Sequence, residues 1–135
     1  MQKTILMIVA VALGQSVLAA DVVIADSFVK AHLVKLLKKP TGKFAPPPKF
    51  TKVELASVTR LDLRDTKVAD AGLKEVAKLQ KLERLGLDNT QITDAGLKEV
   101  AKLQKLEELN LNNTQITAAG VAELQKALPK CDISK

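Results

Sequence analysis

Four aspartates are the first candidates for catalytic chemistry, because paired carboxylates serve as general acid and base in many enzymes. They are Asp62, Asp65, Asp88 and Asp94. Such a pair needs burial or a close second acid to separate the two pKa values, and the surrounding sequence predicts neither. Asp94 also stands at a predicted helix start, where an aspartate caps backbone N–H groups. The aspartates therefore give little support for an enzyme.

The single histidine, His32, and the single cysteine, Cys131, limit the other kinds of chemical site. A nucleophilic triad would have to combine His32 with Ser57 or Ser134, and neither serine lies in a glycine-flanked nucleophile motif. One His and one Cys cannot form a His/Cys metal site within one chain, and no intrachain disulfide is possible. We therefore predict a protein that is not an enzyme and holds no cofactor or metal.

Aromatic residues are scarce in this chain of 135 residues, which contains three Phe and no Tyr or Trp. Single-strand nucleic-acid binders stack bases on aromatic side chains, and strong interaction hot spots depend on aromatic anchors. We therefore expect no specific nucleic-acid binding. A protein partner would be bound through a polar interface of modest affinity, and we expect the chain itself to be a monomer.

A repeat of 24 residues organises most of the chain, with copies at 58–81, 82–105 and 106–129. The first two copies are identical at 16 of 24 positions. Internal periods of 20 to 50 residues are typical of solenoids, in which each repeat buries its apolar face against its neighbours. One compact solenoid domain is therefore predicted.

Each copy combines a strand pattern with a helix pattern. Leu61 and Leu63 alternate with polar residues, which predicts a short strand, and the matching leucines recur in the next two copies. Leu97, Val100 and Leu103 recur at helical spacing, as do their counterparts one copy earlier. Stacked copies would place parallel strands on one side and helices on the other, which gives an α/β solenoid.

Three further kinds of residue recur in each copy, at the places where the strand, the turn and the helix meet. The candidate N-caps of the helices are Asp70, Thr93 with Asp94, and Thr117. A column of hydroxyl groups that could satisfy loop backbone groups is expected after the strands, at Thr66, Thr90 and Thr114. A close approach between layers would explain the glycines in the first helical turns, Gly72, Gly96 and Gly120.

The residues from Leu82 to Leu97 follow the pattern L-x-x-L-x-L-x-x-T-x-I-T-D-A-G-L. This pattern resembles the leucine-rich repeat, in the subtype common in multi-repeat bacterial proteins and related to the ribonuclease-inhibitor-like class. The resemblance covers about residues 53–133 and implies a scaffold for recognition without naming the partner. Thr stands where the usual pattern has Asn or Cys, which changes the hydrogen-bond ladder but not the architecture.

The segments outside the repeats are predicted to be a signal peptide and two capping segments, one at each end of the solenoid. Residues 1–20 carry Lys3, an apolar run of nine residues and a small-residue end, which indicates a secretory signal, so the chain would be periplasmic, in the cell envelope or secreted. An uncleaved membrane anchor extending to Ala25 is the alternative. Residues 21–52 would form a basic N-terminal cap helix and a Pro-rich linker. The leucine-rich-repeat domain would occupy 53–135 and end in a half-repeat at 130–135.

The cap helix is predicted over 27–39, after Asp26 and Ser27 as cap residues, and a short strand is predicted at 52–55. The apolar stripe of the cap helix would consist of Phe28, Val29, Leu33, Leu36 and Leu37. At the other end, Cys131 would be a buried residue at the start of a fourth strand, although an exported thiol could also form an intermolecular disulfide.

The candidate partner-binding surface is the set of strand side chains that point away from the core, which we name the strand face. It consists of Arg60, Asp62, Arg64, Arg84, Gly86, Asp88, Glu108, Asn110 and Asn112. Neighbouring strands would pair Arg64 with Asp88 and Arg84 with Glu108. Five of the eight differences between the first two copies fall on the strand or the following turn. A variable recognition surface on a fixed scaffold and drift after duplication both explain this.

A second candidate surface is the basic segment, formed by Lys30, Lys35, Lys38 and Lys39. Residues 21–52 contain seven Lys and two Asp, whereas residues 53–135 contain thirteen basic and thirteen acidic side chains. The net charge of +6 therefore lies almost entirely ahead of the repeats. The cap helix could bind a polyanion or an anionic membrane surface through these lysines, or it could simply cover the first repeat with its lysines in solvent.

Overall fold

The computed structural model describes residues 21, 22, 24–43 and 49–135. Within these residues, six strands alternate with the helices: β1 (Asp21–Val22), β2 (Phe50–Thr51), β3 (Arg60–Asp62), β4 (Arg84–Gly86), β5 (Glu108–Asn110) and β6 (Asp132–Ser134). The helices are α1 (Ser27–Leu36), α2 (Lys52–Ala56), α3 (Asp70–Val76), α4 (Asp94–Val100) and α5 (Ala118–Ala127). The predicted signal peptide and the prolines of the linker lie outside the described residues.

Strands β3 to β6 form one parallel sheet in that order, and each strand pairs with the one that follows it 24 residues later. The register aligns Leu61, Leu85, Leu109 and Ile133 across the sheet. The sheet confirms the predicted solenoid, and β6 is the predicted fourth strand. A separate antiparallel pair, β1 with β2, accompanies the N-terminal cap.

The core lies between the sheet and the helices. The inward leucines of the strands are buried, and so are the helical residues Leu73, Val76, Leu97 and Val100. Because a short strand and a short helix each carry one apolar face, they can bury these side chains only against each other and against the neighbouring repeats. Among the described residues, no helix is both long and apolar enough to cross a bilayer.

Aspartates at the helix starts connect one repeat to the next, and this corrects the predicted capping roles of both Asp70 and Asp94. Asp70 accepts hydrogen bonds from the Thr93 backbone N–H at 2.7 Å and from the Thr93 hydroxyl at 2.6 Å. Asp94 makes the same two bonds to Thr117, at 2.8 and 2.6 Å. The N-cap of α3 is Ala69, which offers no side-chain bond, whereas Thr93 and Thr117 cap their helices as predicted. We name these contacts the Asp–Thr clamps.

The glycines in the first helical turns leave room for the clamp carboxylates. A Cβ added at Gly96 would lie 2.5 Å from Asp70 Oδ1, and one added at Gly120 would meet the Asp94 carboxylate. The expected close approach between layers is therefore confirmed, and its cause is the preceding aspartate. At Gly72, the neighbours of such a Cβ are Val68 and Asp26.

The threonines after the strands bond to their own strand ends. The hydroxyl groups of Thr66 and Thr90 each donate to the carbonyl of the leucine three residues earlier, at 2.6 Å, and Thr114 does so at 2.7 Å. The hydroxyl groups thus satisfy loop carbonyls as predicted. The residue before each of these threonines has a positive φ of 54 to 58°, and Asp or Asn, which tolerate this conformation, occupies the position.

Helix α1 covers the first repeat, but its apolar stripe is narrower than predicted. Asp26 caps α1 by accepting from the N–H groups of Phe28 and Val29, and the helix ends at Leu36 rather than continuing to residue 39. Val29 and Leu33 are fully buried, whereas Leu36 is 48% exposed. Leu36 is the last residue of the helix and borders β3, the first strand of the parallel sheet.

The short strand predicted at 52–55 is wrong, because these residues form helix α2. Thr51 and Glu54 form a reciprocal capping box, in which each side chain bonds to the backbone N–H of the other residue. This arrangement favours a helix start over a continued strand. The Glu54 carboxylate also binds Lys39, which ties the end of the cap to α2.

Candidate functional site

The strand face presents its polar side chains on adjacent parallel strands. The register places Arg60 beside Arg84 and then Glu108, and it places Asp62 beside Gly86 and then Asn110. Most of the nine side chains are exposed, with Gly86 and Asp88 half-buried. Backbone bonds continue the ladder past the strands, from Leu63 N–H to the Gly86 carbonyl at 2.9 Å. The face is therefore a continuous surface supported by a buried leucine layer.

Two ion pairs neutralise part of this surface. Arg64 donates to both Asp62 oxygens, through Nε at 2.8 Å and through Nη2 at 2.6 Å, and this bond holds the pKa of Asp62 below its ordinary value. The expected pair between Arg64 and Asp88 is wrong, because Arg64 binds Asp62, two residues earlier in the chain. The expected pair between Arg84 and Glu108 is confirmed, at 3.3 Å.

Gly86 makes space for the first of these ion pairs. A Cβ at Gly86 would lie 3.1 Å from both Arg64 Cγ and Asp62 Oδ1. The Arg64 and Asp62 side chains therefore lie over the glycine, which contributes room rather than a contact group. The second copy has Gly86 where the first copy has Asp62. This lack of a side chain leaves the space that the Arg64 side chain occupies over the sheet.

Several differences between copies have a structural explanation. Asn89 Nδ2 donates to Asp65 Oδ1 at 2.7 Å, and Asn112 Nδ2 donates to Asp88 Oδ1 at 2.7 Å. Two identical aspartates at such neighbouring positions would repel each other, whereas an aspartate followed by an asparagine supplies acceptor and donor. Part of the variation on the strand side therefore joins the repeats and need not reflect partner recognition.

A shallow groove follows the strand face and reaches the cap helix. The groove has a volume of about 390 Å³, and strand-face residues from β3, β4 and β5 line it together with Leu36 of α1. An adjoining depression of about 350 Å³ lies between α1 and β3, lined by His32, Lys35, Leu36, Arg60, Leu61 and Asp62. Sequence reasoning missed Leu36 as a residue of the site because it assigned Leu36 to the buried stripe, and it gave His32 no place beside the strand face.

The basic segment is divided among different environments. Lys35 and Lys38 are exposed, Lys30 is half-buried, and Lys39 is bound to Glu54. Lys35 borders the depression beside Arg60, so one lysine of the basic segment belongs to the same surface as the strand face. The two candidate surfaces therefore meet at the junction of α1 and β3.

Two of the side chains with catalytic potential form hydrogen bonds to nearby backbone carbonyls. Ser57 Oγ donates to the Glu54 carbonyl at 2.6 Å, and His32 Nδ1 donates to the Phe28 carbonyl at 2.9 Å. Cys131 is buried, and burial raises the pKa of its thiol to about 11. Within the described residues, no group of three or more His, Cys, Asp or Glu side chains could hold a metal ion.

Two solved internalin structures from Listeria monocytogenes are similar to this chain in fold. An internalin, InlF, matches with a TM-score of 0.53 and 24% identity over 81% of this chain and 36% of that protein. The internalin C2 matches with a TM-score of 0.54 and 21% identity over 88% of this chain and 55% of that protein. This chain thus spans between about a third and just over half of those proteins, and the likeness supports the fold.

Family models account for the repeats directly. A leucine-rich-repeat model of two copies matches residues 80–126, and a single leucine-rich-repeat model matches residues 54–77. A search of curated proteins finds no match. The two matched ranges cover more than half of the chain and coincide with the strand and helix units described above. The chain belongs to the leucine-rich-repeat family.

Proposed function

We propose that this chain is an exported, non-catalytic module that recognises another protein through the strand face. Leucine-rich repeats are generally protein-interaction modules without catalytic activity. The observation that carries the proposal is the groove along β3, β4 and β5, in which exposed polar side chains stand on a sheet whose other side is buried. Such a surface offers hydrogen bonds at fixed positions, which suits specific recognition.

The composition of the groove defines the expected interface. Arginine, carboxylate and amide side chains line it, and the described strand face has no aromatic anchor. An interface of this kind gains specificity from complementary polar groups, while its affinity stays moderate because few large apolar side chains are buried. Export is supported by the sequence of residues 1–20, whose apolar run is too short to span a bilayer.

The test is photo-crosslinking from the strand face in cells that produce the protein. The crosslinking residue is placed at Asn110, which is exposed and lines the groove, rather than at Gly86, where a side chain would displace Arg64 and Asp62. Lys98, which is exposed on helix α4, is the matched control position. A protein adduct that forms from Asn110 and not from Lys98 supports the proposal.

Two results would contradict it. Adducts that form equally from both positions indicate non-specific association. Adducts that form only from a third position, Lys38, would favour the alternative in which the basic segment binds an anionic surface and the repeats act as a spacer. Fractionating the same cells tests export separately, because a protein retained in the cytoplasm with residues 1–20 uncleaved contradicts the predicted signal peptide.

A further inference from the structure

We propose that the junction between helix α1 and strand β3 is a docking site for a partner segment that carries a carboxylate next to an aliphatic side chain. This inference rests on the proposed function and names the chemistry of the partner at one end of the strand face. We name this place the cap junction, formed by His32, Lys35, Leu36, Arg60, Leu61 and Asp62.

The charge of the cap junction calls for an anionic group. Arg60 neighbours Arg84 in the sheet register, and like charges at adjacent positions repel each other. Arg84 is compensated by Glu108, and the only carboxylate in the junction, that of Asp62, is bound bidentately by Arg64. Among the described residues, Arg60 forms no ion pair. Arg60 and Lys35 are thus two exposed cations on the same depression.

The same junction presents an aliphatic surface. Leu36 is 48% exposed, and only one other large apolar side chain in the described residues, Val53, is as exposed. Leu36 lines both the depression and the main groove, whereas Val53 lines neither. An aliphatic side chain of a partner that packs on Leu36 would remove apolar surface from water on both molecules.

Charge complementarity commits the site to a protein segment rather than to a nucleic acid or an anionic membrane. Two or more phosphates would be drawn to Arg60 and Lys35 but would also approach the carboxylates of Asp62 and Glu108 along the groove. A single carboxylate carries less charge, and the one acid that it meets in the junction, Asp62, is already bound by Arg64. An aliphatic neighbour then supplies the contact that Leu36 offers.

The experiment measures the binding of defined peptides to the purified protein. The probe is a fluorescein-labelled peptide of nine residues with two Glu-Leu pairs in a glycine background. Its relatives replace Glu by Gln, Leu by Ala, or Glu by Lys. Fluorescence anisotropy gives the dissociation constants, and ¹⁵N–¹H NMR shifts locate the contact on the protein. Arg60→Gln is matched with Lys98→Gln, and Leu36→Ala is matched with Val53→Ala.

We expect shifts centred on Leu36 and Arg60, and a loss of affinity of about fivefold or more for Arg60→Gln and for Leu36→Ala. The two control variants should bind like the natural protein, and peptides without Glu or without Leu should bind more weakly. A dissociation constant unchanged by Leu36→Ala and by replacing the leucines of the peptide would overturn the proposed aliphatic contact. Only a site for an anion would then remain. No shift at any peptide concentration up to the millimolar range would overturn the inference entirely.

The outcome is separable from that of the proposed function. Specific adducts from Asn110 together with no peptide binding would leave recognition by the strand face standing and remove only the cap junction. A failure of both experiments would remove both proposals. Peptide shifts confined to Asn110 and Asn112 would move the acidic-aliphatic segment away from the cap junction and contradict its placement.

Discussion

At the scale of single residues, the Asp–Thr clamps explain positions that looked like helix caps. Asp70 reaches forward to the backbone N–H and hydroxyl of Thr93, so one carboxylate satisfies two groups of the next repeat. A carboxylate that accepts two short hydrogen bonds is more stabilising than a neutral pair. The clamps therefore add charged hydrogen bonds at the helix starts to the strand ladder and the apolar contacts that join the repeats.

A double-mutant cycle tests the clamp between Asp70 and Thr93. Asp70→Ala should lower the free energy of unfolding by about 1 to 2 kcal/mol, because the donors on Thr93 lose their acceptor. Thr93→Ala should lower it by a smaller amount, and the double variant should lose less than the sum. Urea unfolding measures all three variants, with Lys74→Ala as the exposed control on the same helix. Additive losses would show that the two residues act separately.

The second clamp predicts a pH dependence. The Thr117 hydroxyl, together with the Thr117 backbone N–H, lowers the pKa of Asp94 below its ordinary value of 3.8. Since the folded pKa is the lower one, the contribution to stability is complete above the unfolded value and is lost as the pH falls through the folded value. The NMR titration midpoint of the Asp94 carboxyl should therefore be low and should rise in Thr117→Val. A midpoint unchanged by Thr117→Val would contradict the assigned cause.

At the scale of elements, the first turns of α4 and α5 contain glycine because a larger residue would collide with the preceding aspartate. The nearest neighbours of a Cβ at Gly120 are the Asp94 carboxylate atoms. Gly120→Ala should therefore lower the melting temperature, although alanine favours helices over glycine by about 1 kcal/mol. In an Asp94→Ala background the obstacle is gone, and the same substitution should raise the melting temperature. Thermal unfolding by circular dichroism decides the sign, and a loss in both backgrounds would refute the explanation.

The cap helix offers a matched pair of leucines. Leu33 is fully buried and Leu36 is 48% exposed, one turn apart on the same helix. Leu33→Ala should lower the free energy of unfolding by about 2 to 4 kcal/mol through lost burial and a residual cavity. Leu36→Ala should change it by less than about 0.5 kcal/mol. Chemical denaturation of both variants tests whether α1 packs as described, and equal losses would contradict it.

At the scale of the whole molecule, charge is divided between the N-terminal cap and the balanced repeats. Binding of the protein to a heparin column should therefore depend on the exposed lysines of α1 and its end. The double variant Lys35→Gln/Lys38→Gln should elute at lower salt than the natural protein. The double variant Lys98→Gln/Lys105→Gln, which loses the same charge from the repeats, should elute at higher salt than the first double variant. Equal elution of the two double variants would show that only total charge matters.

The sequence alone was sufficient for the architecture. A 24-residue period with a two-residue alternation in one half and a helical spacing in the other predicts stacked strand and helix layers, since neither half can bury its apolar face alone. The parallel sheet, the fourth strand, the buried Cys131 and the glycine contacts agree with that reading. The list of strand-face residues follows from alternation, because neighbouring side chains on a strand point to opposite sides.

Only the tertiary structure decided which polar groups meet. Asp70 binds Thr93 instead of capping its own helix, and Arg64 binds Asp62 instead of Asp88. Such choices depend on the distances between particular side chains, within one repeat for Arg64 and between repeats for Asp70, and the 24-residue period carries no information about them. The exposure of Leu36 was likewise decided by the packing of α1 and not by the helical spacing of its apolar residues. The candidate cap junction is therefore a product of packing at the end of the solenoid, where the repeat no longer determines the neighbours.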